Sequence, residues 1–84
     1  MRELYVTFRS VTYAQRGQTV LQGAGMRNSL GRTPRHMEEK GCGYSLKIPF
    51  SQGLPALEVL KAKSVPFSKV YIRGEDGNWE ELRL

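Results

Sequence analysis

Residues 3–25 read ELYVTFRSVTYAQRGQTVLQGAG, and the fold follows from the change of period inside this stretch. Leu4, Val6 and Phe8 alternate with Glu3, Tyr5 and Thr7. That is the two-residue period of a strand with one apolar face. The spacing then turns helical. Ser10 stands where an N-cap hydroxyl is wanted. Val11, Ala14, Gly17, Val20, Leu21 and Ala24 fall on one stripe of a helix over residues 11–24. Gly25 is placed just past its end, where a left-handed residue closes a helix. Gly17 and Gly23 each weaken the helix by up to about 1 kcal/mol relative to alanine. Because Gly17 lies on the packing stripe, it predicts a close approach between this helix and a strand.

Working outward, Met26 to Arg32 reads as a second strand, polar enough to sit at a sheet edge. Thr33-Pro34-Arg35 breaks it, and His36 to Gly43 reads as a loop or a single helical turn. Tyr44, Leu46 and Ile48 alternate with Ser45 and Lys47 in a third strand ended by Pro49. Ser51 to Gly53 leads into a second helix that tolerates Pro55 in its first turn. Ala56, Leu57, Val59 and Leu60 give that helix its buried side, and Lys61 and Lys63 suit its C-terminus. Lys69 to Arg73 forms a fourth strand with Val70 and Ile72 inward. Asp76-Gly77 signals a turn, and Trp79 to Leu84 returns as a short fifth strand or packs as a tail. The order β-α-β-β-α-β with right-handed crossovers predicts an α+β, ferredoxin-like sandwich. Two helices would cover one face of an antiparallel sheet, with the first and third strands central.

The chain of 84 residues reads as one domain over 1–84. A hydrophobic share of 39% with 25% charged residues is that of a globular protein. No apolar run approaches the ~20 residues that cross a bilayer, and the N-terminus lacks a signal-peptide layout. A lone cysteine excludes an internal disulfide framework. A cytoplasmic location without membrane contact is expected. So small a core makes homodimerisation an easy route to further burial. The net charge of +5 permits an anionic partner without requiring one.

Several function classes lose ground. One Cys and one His do not make the four-ligand set of a structural zinc site, so neither metal nor cofactor is expected. Gly23-Ala24-Gly25 follows a helix instead of opening one, so it is a helix stop and no phosphate cradle. RNA-recognition modules share the topology and stack bases on the open sheet face. Here the outward positions of the central strands are Tyr5, Thr7, Ser45 and Lys47, and the Arg-Gly-aromatic signature is missing. Nucleic acid is not the expected partner. Tyr5, Tyr71, Lys47 and Arg73 would form a partly aromatic, basic surface, closed either by a second copy or by the tail containing Trp79.

The most specific chemistry lies in Gly41-Cys42-Gly43-Tyr44, approached through Arg32, Arg35, His36 and Lys40. A thiol becomes a nucleophile when positive charge and backbone N–H groups stabilise its thiolate. Flanking glycines leave the sulfur accessible, and successive N–H groups around it form an anion-holding nest. Cys42 is the candidate catalytic residue. Arg35, His36, Lys40, Gly41 and Gly43 are the candidate supporting, anion-binding residues. Glu38 and Glu39 interrupt the basic run and partly cancel its field. The competing reading makes Cys42 a buried structural thiol in a small basic module that binds protein or nucleic acid. A third makes it a redox switch that pairs with its counterpart in another protomer.

The residues Tyr5-Val6-Thr7-Phe8-Arg9-Ser10, Ala14, Gly25, Thr33-Pro34-Arg35 and Cys42-Gly43 together resemble the selenium/sulfur carrier-like family of small bacterial domains. Pro-Arg followed shortly by Cys-Gly is the most specific element, and the resemblance covers roughly residues 3 to 73. It implies a carrier whose cysteine, here Cys42, holds a persulfide or selenosulfide for transfer between donor and acceptor proteins. It also implies that Pro34 and Arg35 shape and charge the loop. Such a protein is a transfer partner more than a stand-alone enzyme. The chain departs from the family pattern in the polar Arg27-Asn28-Ser29, in Glu38-Glu39-Lys40, and in the extension over 74–84.

Overall fold

The computed structural model describes residues 2–33 and 43–82. The chain runs β1 (Glu3–Phe8), α1 (Val11–Gly23), β2 (Ser29–Arg32), β3 (Tyr44–Pro49), a 3-10 turn (Phe50–Gln52), α2 (Gly53–Ala62), β4 (Val70–Arg73) and β5 (Trp79–Leu82). The sheet order is β2-β3-β1-β4-β5, and every neighbouring pair is antiparallel. This is the ferredoxin-like α+β arrangement, with β5 added beyond β4. The tail therefore returns as a strand.

The alternation in residues 3–8 becomes the core. Leu4, Val6 and Phe8 are buried beside Leu46 and Ile48 of β3 and Val70 of β4. The helices close over them with Ala14 and Leu21 from α1 and Ala56, Leu57 and Leu60 from α2. Each such aliphatic or aromatic side chain contributes about 1.5–3 kcal/mol by leaving water. Gly17 is where α1 comes nearest. A Cβ there would lie 3.1 Å from Phe8 and 3.2 Å from Leu46, tighter than ordinary contact, so a side chain would make these neighbours give way.

Local signals set the helix ends. Ser10 is extended (φ −142°, ψ 158°), and its Oγ accepts the N–H of Tyr13 at 3.3 Å. At the other end Gly25 has φ +75°. Its N–H donates to Gln22 O at 3.0 Å, and that of Met26 to Leu21 O at 2.9 Å. These are the two bonds of a Schellman closure. The second helix ends identically, with Ser64 N–H to Lys61 O at 3.1 Å and Val65 N–H to Leu60 O at 2.9 Å. There the left-handed residue is Ser64, at φ 57°.

The structure corrects some boundaries. Met26 to Asn28 do not join β2, because the reversal at Gly25 turns Met26 into the core and the N–H of Arg27 is taken by Gln52 Oε1 at 3.1 Å. Val11, expected on the buried stripe, is 36% exposed. Ala24 is likewise exposed, as the residue that caps the helix. The second helix begins at Gly53, after the 3-10 turn. Lys69 lies outside β4 because the Thr7 hydroxyl takes part in its pairing, accepting Lys69 N–H at 3.0 Å and donating to Lys69 O at 3.2 Å.

Candidate functional site

The described chain stops at Thr33 and resumes at Gly43, and those two residues are paired: the Thr33 N–H donates to Gly43 O at 3.0 Å. Directly below, Arg32 pairs with Tyr44, and Tyr44 with Phe8. The two described ends that flank residues 34–42 therefore meet at one place, the end of the sheet where β1 and β2 finish and β3 begins. Cys42, Arg35, His36, Lys40 and Gly41 lie outside the described residues, as does Pro34. Gly43 is the one candidate within them. It is buried, and its carbonyl is held by Thr33.

The surroundings of the loop base carry positive charge. Arg9 follows β1 and is exposed, and Arg32 ends β2 with its guanidinium 5.8 Å from the Tyr44 ring centroid. The α1 N-terminus lies two residues beyond β1 and has no acidic side chain in its first turn. Its free N–H groups present the positive end of the helix dipole. From Leu4 to Met37 the sequence contains no Asp or Glu. The end of the sheet to which residues 34–42 connect is therefore cationic on its described side.

Sequence reading treated Thr33 only as part of a strand breaker. The structure gives it more weight. It is 6% exposed, and its Oγ1 has no hydrogen-bond partner among the described residues. A buried hydroxyl left unpaired costs about 1–3 kcal/mol. Thr7 and Ser45, in register with each other on β1 and β3, are also buried there. The loop base is thus a small patch of hydroxyls and glycine on the sheet face away from the helices. No composition or spacing signal marks such a patch, because it is assembled across three strands.

The rest of that open face is closed on itself. Trp79 of β5 packs edge-on against Tyr5 of β1, with centroids 4.8 Å apart and planes at 67°. Arg73 lies 5.3 Å from the Trp79 ring centroid, and Lys47 pairs with Glu3 at 3.5 Å. Tyr71 stands between Tyr5 and Glu81 in the ladder. Partial burial pushes its phenol above the usual value, and the Glu81 carboxylate adds to the effect. The tail containing Trp79 packs on Tyr5 and half-covers the aromatic part of this surface, while Lys47 and Arg73 stay exposed. Among the described residues, no three His, Cys, Asp or Glu side chains gather as metal ligands. No described helix is long and apolar enough to cross a membrane.

Residues 3–72 match the family model described as "Putative Se/S carrier protein-like". The chain belongs to this family. The match spans β1 through most of β4, so the whole βαββαβ unit is the family's and β5 lies beyond it. Comparison with curated proteins and with solved structures gives no match. The Se/S carrier family name supplies a class of function, carriage of selenium or sulfur, and no donor, acceptor or mechanism.

Proposed function

We propose that this protein carries sulfane sulfur or selenium on Cys42, as a persulfide or selenosulfide, and hands it from one protein to another. The family match over residues 3–72 carries this reading. The cationic surroundings of the loop base support it, because an ionised sulfur is the reactive form.

The chemistry needs only one thiolate. The Cys42 sulfur attacks the outer sulfur of a donor persulfide. A new S–S bond forms to Cys42, the bond between the two donor sulfurs breaks, and the donor cysteine leaves as thiolate. The transferred sulfur keeps its oxidation state, so no external electron donor or acceptor enters. Delivery repeats the step, with an acceptor nucleophile attacking the outer sulfur and Cys42 leaving. Selenium follows the same course through an Se–S bond. Arg35, with Lys40 or His36, favours the anionic form before attack and after departure. Gly41 and Gly43 supply clearance and N–H groups. A loop at the end of a sheet suits transfer between proteins, because a partner's sulfur must reach Cys42 directly. A reducing compartment keeps the lone thiol free for this role.

The test is anaerobic incubation with a cysteine desulfurase and cysteine, followed by intact-mass measurement. Wild-type protein is expected to gain the mass of one sulfur atom, removable by dithiothreitol, and Cys42→Ser to gain none. An unmodified wild-type chain beside a charged desulfurase would overturn the proposal.

A further inference from the structure

The two outer strands of the sheet differ in how they meet solvent. We propose that the free edge of β2 is a docking strand for an extended, acidic segment of a partner protein. This goes beyond the carrier reading and does not rest on it.

Every edge strand offers unpaired N–H and C=O groups, and proteins usually blunt such edges with charge, proline or a bulge. The β5 edge is blunted. Glu80 and Glu81 are exposed on it, and Glu75 and Asp76 lie in the turn before it. The β2 edge is not. Its four residues pair with β3 in unbroken register, it contains neither proline nor carboxylate, and no other described strand lies along its far side. Ser29, Gly31 and Arg32 are exposed, and a Cβ on Gly31 would meet nothing within 4 Å.

Charge selects the occupant. Arg27 lies just before β2 and Arg32 ends it; both are exposed, and no ion pair joins them to a described residue. The segment lies within the carboxylate-free run from Leu4 to Met37. An added strand bearing Asp or Glu would pair its backbone with β2 and set carboxylates beside the two guanidinium groups, which is recognition by strand addition. The acidic edge of a second copy is a poorer fit, because joining β2 to β5 is a head-to-tail contact that does not close on itself. A strand on this edge also ends beside Thr33, at the base of the Cys42 loop.

The full chain, isotope-labelled for NMR, is titrated with a short synthetic peptide alternating valine and glutamate, and separately with its valine–lysine counterpart. The glutamate peptide is expected to shift and slow the exchange of amides in residues 27–33, with the lysine peptide silent and Cys42→Ser behaving as wild type. Arg27→Glu with Arg32→Glu should weaken binding by about tenfold or more, with core resonances of Leu46 and Leu60 unmoved. Arg27→Gln with Arg32→Gln repeats the test should that pair unfold. Four results would overturn the proposal: equal binding of the lysine peptide, shifts confined to the Tyr5–Trp79 face, no shifts at millimolar peptide, or concentration-dependent shifts of β2 and β5 together without peptide. The last would assign the edge to a second copy.

Discussion

The two βαβ halves of this fold are alike where their helices end and unlike where their outer strands lie. Both helices finish in the same pair of backbone hydrogen bonds, with Gly25 in one left-handed position and Ser64 in the other. Yet β2, which closes the first half, is a polar, cationic strand with no other described strand on its far side, while β4, which closes the second, has β5 paired along it. Local backbone rules act on both halves equally. The difference comes from what lies further along the chain: the segment with the lone cysteine after β2, and a hairpin with Trp79 after β4.

The largest test asks whether the halves are one cooperative unit. Phe8 packs beneath Gly17 in the first half and Leu60 belongs to the second, but they share one core. Phe8→Ala should cost about 3–5 kcal/mol and Leu60→Ala about 2–5 kcal/mol. Each should shift the whole denaturation curve, read by near-UV and far-UV dichroism together. Separate transitions would show that the halves fold independently.

The next test separates two glycines of α1. Gly17→Ala forces a methyl within 3.1 Å of Phe8. It should destabilise by about 1–3 kcal/mol in urea titration, as overpacking does. Gly23→Ala meets no atom within 4 Å and should stabilise by about 0.5–1 kcal/mol through helix propensity. Effects of equal sign would mean that close packing at Gly17 is not what holds it as glycine.

A smaller effect compares the two helix closures directly. Ser64→Gly should raise stability by up to about 1 kcal/mol, since a side chain is strained at φ 57°. Gly25→Ala should lower it by about the same amount. Matching thermal shifts of opposite sign would confirm that the closures are equivalent.

The smallest concerns the hairpin. Tyr71 is held above its ordinary value by burial first and by Glu81 second. The neutral phenol is therefore favoured in the folded state. The resulting stability is present below pH 10.0, the unfolded value, and is lost as pH rises through the folded one. Phenolate absorbance should show one tyrosine titrating late, and Glu81→Gln should bring it part of the way back.

Much of the architecture was legible because its causes are local. The alternation of Leu4, Val6 and Phe8, the Ser10 cap and the Gly25 stop act within a few residues, and Gly17 announced a tight contact by breaking helix propensity on the buried side. Arg27 and Asn28 were misread as strand because a side chain 25 residues away, Gln52, takes the Arg27 N–H. The buried hydroxyl of Thr33 left no trace in the sequence, since its burial is set by neighbours on other strands. Charge segregation is visible as a carboxylate-free run, but its meaning depends on strand order, which places β2 and β5 at opposite edges. Of the candidate site, Gly43 and the base of the loop are described, and Cys42 is not.

The central claim is that Cys42 stays ionised and within reach of a partner's sulfur near neutral pH. Its rate of alkylation as a function of pH, measured on the native and the unfolded chain, tests this most directly. We expect a native midpoint below about 8.5, the value of a free thiol, and a native rate at neutral pH at least equal to that of the unfolded chain. A native thiol that reacts only after unfolding would contradict it.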